Sequence, residues 1–237
     1  DVCSSDLFLL APNYPAGKDM LSGFKRYYKG EVAGEILTPW PQHADWSAEF
    51  AKVRATNPKP DAVFVFYPGG AGINFVKQYA QSGLKEQIPL YASFTTDATT
   101  LKAQGDAALG VLSTMFWGAD LKNDANQKFV ADFKKKFGYT PSFYAAQSYD
   151  AIMLIDSAVR AVNGKIEDKD GMRAAMRRAD YKSVRGPYKY NNNHFPIENF
   201  YLQEVVKDAN GELDTRIKAT VFANHADSYA KDCQMKW

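Results

Sequence analysis

Seven consecutive residues, Asp61-Ala62-Val63-Phe64-Val65-Phe66-Tyr67, narrow the folds open to this chain more than any other stretch. After the aspartate no polar side chain interrupts the run. It lacks the alternation of a strand with one wet face and must be covered on both. Such strands belong to parallel sheets with helices packed above and below. The next residues agree: Pro68-Gly69-Gly70-Ala71-Gly72 makes a turn, and 74–84 reads as a helix with Gly83 at its end.

The same strand-then-helix order recurs along the first two-thirds of the chain. Phe8-Leu9-Leu10 is a strand entering a loop at Ala11–Pro15, and 17–28 is a helix with Met20, Phe24, Tyr27 and Tyr28 on one face. A short extended piece at 35–38 precedes Pro39-Trp40-Pro41. Asp45 then caps a helix whose apolar face is Trp46, Phe50 and Val53. Residues 88–93 and 110–116 are further strands. The pattern next turns helical: 123–137 repeats Phe129, Phe133 and Phe137 and ends at Gly138, and 142–163 carries Ile152, Ile155, Val159 and Val162 on the face expected to be buried. A third helix covers 168–179. After Gly186 the chain becomes β-rich, with 199–207 and 215–222 flanking the hairpin signal Asn210-Gly211. The fold class expected is α/β with a mainly parallel sheet.

Composition excludes several functions. With 237 residues, 46% hydrophobic and 24% charged, the chain lies outside the regime of disorder. No apolar stretch reaches the roughly 18 residues of a membrane-spanning helix. Lys+Arg 29 against Asp+Glu 27, well dispersed, leaves no basic footprint for nucleic acid. Two cysteines (Cys3, Cys233) and three scattered histidines (His43, His194, His225) make neither a disulfide framework nor a metal site, and no cofactor motif is present. The glycines at 69, 70 and 72 lack dinucleotide-binding spacing, and no Lys-Ser/Thr follows them as in a P-loop. No Gly-x-Ser-x-Gly elbow or His-centred triad points to an enzyme.

The start of the chain is unusual. It has no initial Met and no secretory leader, and Asp1–Leu7 resembles the translation of a sequencing-adapter oligonucleotide. On that reading residues 1–7 are a foreign leader, the gene is truncated upstream, and Cys233 is a lone thiol.

In open α/β sheets ligands bind outside the carboxyl ends of the strands. Three strand ends share that edge: Asn13-Tyr14-Pro15-Ala16-Gly17, Tyr67 with Gly69-Gly70, and Ser93-Phe94-Thr95-Thr96-Asp97. The hydroxyls of Tyr14, Tyr67, Ser93, Thr95 and Thr96 are therefore candidates to converge on one small polar group. The glycines let a ligand approach a helix N-terminus. The alternatives stay open: a tight turn without function at Gly69-Gly70, and a helix cap at Asp97. Phe116-Trp117 is either a packed aromatic pair or a ligand-stacking one.

The ordered set of segments from Leu9–Gly17 and Phe64–Gly70 through Gln78–Leu84 and Gly105–Val111 to Pro141–Ala151 and Arg185-Gly186-Pro187 resembles a known family. It is that of the ABC-importer solute-binding proteins of the leucine/isoleucine/valine-binding type, and the likeness runs from Phe8 to the C-terminus. The resemblance implies the type I periplasmic fold, two lobes closing on a solute by hinge motion. It maps 8–113 plus 183–237 to the second lobe and 114–182 to the returning part of an incomplete first lobe. It also implies a periplasmic protein, monomeric when complete, that hands its solute to an inner-membrane permease without catalysis. Ligand residues carried over are Tyr14, Tyr67, Gly69, Gly70 and Ser93–Thr96, with Phe94, Phe116 and Trp117 around a ring. The branched-chain amino-acid binders place an acid for the ligand's ammonium where this chain has Ser93. Residues 185–197 are similar to the benzoate-binding subgroup. An aromatic carboxylate is thus expected, with a branched-chain or aromatic amino acid second. Other readings of the fold are a ligand-sensing domain of a receptor or regulator, and an enzyme on a doubly wound sheet.

Overall fold

A computed structural model describes residues 6–235. Cys3 and residues 1–5 of the suspected leader lie outside them, whereas Asp6 and Leu7 open the first strand two residues earlier than the apolar run alone suggests. The elements in chain order are β1 (Asp6–Pro12), α1 (Pro15–Tyr27), β2 (Glu31–Thr38), α2 (Ser47–Ala55), β3 (Ala62–Val65), α3 (Gly69–Gln81), β4 (Leu90–Ser93), α4 (Leu101–Gln104) and β5 (Leu112–Met115). There follow α5 (Asp124–Phe137), α6 (Phe143–Ala161), α7 (Lys169–Arg178), β6 (Lys189–Tyr190), β7 (Pro196–Lys207) and β8 (Leu213–His225).

The hydrogen-bonded order is β2-β1-β3-β4-β5-β7, and every pair from β2 to β5 is parallel. β3 therefore lies between β1 and β4, which is why it has no polar face. Alternate residues of the central strands enter two separate cores. Phe8, Leu10, Val63 and Val65 point to one side, under Phe50 and Val53 of α2 and Phe75, Val76 and Tyr79 of α3. Leu9, Ala11, Phe64 and Phe66 point to the other, against Leu21, Met20 and Phe24 of α1. There the rings of Phe24 and Phe64 stack at 4.4 Å.

Two glycines set how closely the helices approach. A Cβ on Gly17 would stand 1.9 Å from the Pro12 carbonyl oxygen, and one on Gly72 would stand 2.1 Å from that of Tyr67. At both strand-to-helix turns the third or fourth residue of the helix comes against the backbone at the end of the preceding strand or just beyond it.

The chain divides into two compact units. The first runs up to Thr114 and takes Glu204–Thr215. The second is Met115–Gln203 with Arg216 onward. Residues 183–203 and those after 215, mapped above to the same lobe as 8–113, fall in the second unit, because the long strands β7 and β8 each pass from one unit to the other.

In the second unit Asn123, Ser142 and Asp168 cap α5, α6 and α7 with their side chains, and Gly138 ends α5 in the left-handed conformation. The face of α6 is a correction. Ile152 and Ile155, expected inside, are 64% and 47% exposed, and the buried residues are Phe143, Ala146, Asp150 and Ala158. The reason is polar. The carboxylate of Asp150 accepts hydrogen bonds from Ser183 Oγ (2.6 Å), Val184 N (3.0 Å) and Arg185 Nε (2.9 Å). A buried charge held by three donors turns the helix more firmly than two isoleucines.

Candidate functional site

Because β1, β3 and β4 are parallel neighbours, their carboxyl ends meet at one edge of the first unit. An aromatic side chain follows each of four adjacent strands there, and the rings stand in strand order. Trp40 follows β2 and stacks on Tyr14, which follows β1, at 4.7 Å and 14°. Tyr14 in turn lies parallel to Phe66, after β3, at 6.4 Å and 16°. Phe66 meets Phe94, after β4, edge-on at 6.2 Å. Phe66 is buried, Tyr14 and Phe94 are half-buried, and Trp40 is 40% exposed. Trp40 and Phe66 were missed in the sequence, although the strand-end rule applied to Pro39-Trp40-Pro41 as much as to the other ends.

Phe94 has φ +53°, a left-handed conformation rare for a side chain of this bulk. Holding it costs on the order of 1–3 kcal/mol, which the surrounding β4–α4 loop has to offset. That loop is well braced. Thr95 Oγ1 donates to the Ser93 carbonyl and accepts from the Tyr67 amide, both at 3.0 Å, and Gln104 Nε2 donates to the Thr95 carbonyl at 2.9 Å. The Asp97 carboxylate accepts from the Thr99 amide and hydroxyl, which makes it the cap of the following turn. Thr96 Oγ1 is buried with no hydrogen-bond partner.

The hydroxyl residues differ in how far they are buried. The side chain of Tyr67 is 1% exposed and stacks on Phe75 at 4.9 Å, and its hydroxyl meets Thr38 Oγ1 at 3.0 Å. Burial pushes its pKa up to about 12 and keeps it neutral. Ser93, Thr95 and Thr96 are likewise buried. Next to Tyr67, Gly69 and Gly70 are exposed, with nothing within 4 Å of where a Cβ would stand. α3 starts there behind Pro68 without a side-chain cap, so its first amides and its dipole are open to an anion.

Phe116 and Trp117 belong to the second unit. Trp117 is buried, donates from Nε1 to Asn126 Oδ1 at 2.8 Å, and accepts from Gln203 on its carbonyl at 2.7 Å. Phe116 lines a cavity of about 580 Å³ together with Tyr181, Arg185, Tyr188 and Glu198. The Arg185 guanidinium lies 4.4 Å from the Tyr188 ring centroid and binds Asp150 and Glu198 at 2.9 and 3.0 Å. Burial raises the pKa of Glu198, and Arg185 pulls it back.

Residues 4–211 match the periplasmic binding protein family. Among curated proteins, the Leu/Ile/Val-binding protein homolog 6 of Brucella melitensis is 31% identical over 210 residues, covering 84% of this chain and 52% of the relative. A solute-binding protein of an ABC transporter from R. palustris, solved in complex with benzoate, superposes with TM-score 0.87 at 33% identity, over 98% of this chain and 62% of that one. A second, from Rhodopseudomonas palustris BisB5 in complex with 3,4-dihydroxy benzoic acid, gives TM-score 0.83 at 34% identity over 94% and 62%. The chain thus spans about half the length of the curated relatives it matches.

Proposed function

The chain belongs to the periplasmic binding protein family, and from that premise we propose that it captures an aromatic carboxylate at the strand-end edge of its first unit. The row of four rings, one from each of β2, β1, β3 and β4, carries this reading. A benzoate ring gains area burial and aromatic pairing of about 0.5–1.5 kcal/mol per pair, edge-on at Tyr14 and at Phe94. Its carboxylate suits the open start of α3 at Gly69-Gly70. The loop of Ser93, Thr95 and Thr96 shapes the site, and Tyr67 supports it from beneath. The benzoate and dihydroxybenzoate held by the two solved relatives support the same ligand class.

A zwitterion is less well served. An ammonium taken from water needs a carboxylate partner, and the acid nearest Ser93 in this loop, Asp97, already caps its own turn. Solute capture of this kind serves delivery to an ABC-transporter permease from the periplasm, and this is the role we propose for the chain.

A thermal-shift panel tests the ligand class. Benzoate, 4-hydroxybenzoate and 3,4-dihydroxybenzoate, at about 100 times Kd, are expected to stabilise the protein by about 2.7 kcal/mol, a rise of roughly 5–10 °C in Tm. Leucine and valine are expected to leave Tm unchanged. Stabilisation by leucine or valine with no response to the benzoates would overturn the aromatic-acid reading in favour of an amino-acid binder.

A further inference from the structure

We infer that Trp40 sets the preference of this edge for planar over saturated rings by holding the Tyr14 ring in orientation, an inference that rests on the aromatic-acid reading above. Trp40 is a positioning residue: it stands at the outer end of the ring row and acts through Tyr14.

Tyr14 precedes Pro15, which restricts its backbone to the extended region, and it sits there at φ −147°, ψ 173°. The backbone is thereby settled, and the direction of the phenol ring is left to its neighbours. Phe66 supports that ring from the core side at 16°, and Trp40 closes it from the solvent side at 14°. The three planes are nearly parallel, so Tyr14 is held between two flat surfaces.

Thr38, two residues before Trp40, is tied to the segments that follow β1 and β3. The Asn13 amide donates to the Thr38 carbonyl at 2.7 Å, and Thr38 Oγ1 meets the Tyr67 hydroxyl at 3.0 Å. Leaving 40% of an indole in water forgoes hydrophobic stabilisation, and Trp40 belongs to neither buried core cluster of this unit. Its stacking contact is with Tyr14, a ligand-facing candidate.

With Trp40 and Phe66 over its two faces, Tyr14 offers a ligand only its ring edge, and a planar ring finds an edge-to-face partner there only while the phenol keeps this plane, because aromatic pairing depends on the relative tilt of the rings. A saturated ring of the same size needs apolar contact alone, which is non-directional. Removing Trp40 therefore penalises the first ligand and spares the second.

The experiment is titration calorimetry with benzoate and cyclohexanecarboxylate on the wild-type chain, Trp40→Leu and Trp40→Phe. The wild type is expected to prefer benzoate. Trp40→Leu should lose about 3- to 10-fold in benzoate affinity, with cyclohexanecarboxylate changed less than about twofold. Trp40→Phe, which restores a flat face, should recover most of the loss. Equal weakening of both acids, or no change in their ratio, overturns the role assigned to Trp40 while leaving the aromatic-acid reading intact. A wild-type chain that binds neither acid overturns both. If Trp40→Leu fails to fold, Tyr14→Leu decides: with the phenol removed the preference for benzoate over cyclohexanecarboxylate should be lost, and a preference that survives overturns the inference.

Discussion

Arg185→Met is expected to lower stability by about 3–5 kcal/mol at pH 8, because it leaves two carboxylates buried without their cation. Asp150 and Glu198 are both buried and both bonded to the Arg185 guanidinium. Against a total stability of about 5–15 kcal/mol, such a loss is a large fraction of the whole. The pH dependence separates charge from packing. Burial holds the pKa of Glu198 above its ordinary value even with Arg185 pulling it down. The native state therefore keeps this proton more tightly than the unfolded chain. The contribution of Glu198 to stability falls as pH rises from the ordinary glutamate range through the raised value. Without Arg185 the downward pull is gone and the raised value climbs further. Urea denaturation at pH 5 and pH 8 should show the deficit of Arg185→Met shrinking at the lower pH by about 1 kcal/mol or more. A deficit equal at both pH values would assign the whole loss to packing.

Gly72→Ala is the second large effect, roughly 3 kcal/mol of destabilisation, at the upper end of what overpacking costs. The new methyl would stand 2.1 Å from the Tyr67 carbonyl oxygen and 3.2 Å from Thr95. Neither the strand end nor the braced β4–α4 loop can yield cheaply, so the start of α3 has to move. That displacement carries Gly69 and Gly70 with it, and benzoate binding should weaken along with stability. Gly70→Ala is the control. Its Cβ meets nothing within 4 Å, and φ at Gly70 is not positive. Its effect on stability, from urea denaturation, should stay within about 0.5 kcal/mol. Equal losses for the two variants would mean that the close approach at residue 72 does not govern this turn.

Much of this was readable along the chain because it depends on local spacing. The doubly covered strand within 61–67, the helices ended by Gly83 and Gly138, and the Asn210-Gly211 hairpin all follow from neighbours a few residues apart. The edge itself was legible too, since parallel strands followed by helices leave their carboxyl ends on one side.

The occupants of that edge were less legible. A strand end has the same composition whether its tyrosine points at a ligand or into the core. Tyr14 stays half-buried beside Trp40, whereas Tyr67 is claimed by Thr38 and Phe75, which lie 29 and 8 residues away in sequence. For α6 the isoleucine spacing indicated one face, and Asp150 with Ser183, Val184 and Arg185, more than 30 residues on, selected another.

The sequence alone therefore determined the α/β class, the mainly parallel sheet and the edge on which a ligand would be sought, because hydrophobic period and turn chemistry are local properties of a chain. Only the tertiary structure decided which hydroxyls are spent in the core, which way α6 faces, and that Trp40, Tyr14, Phe66 and Phe94 form one row. Those outcomes depend on hydrogen-bond partners and ring neighbours that are distant in sequence and are brought together by folding.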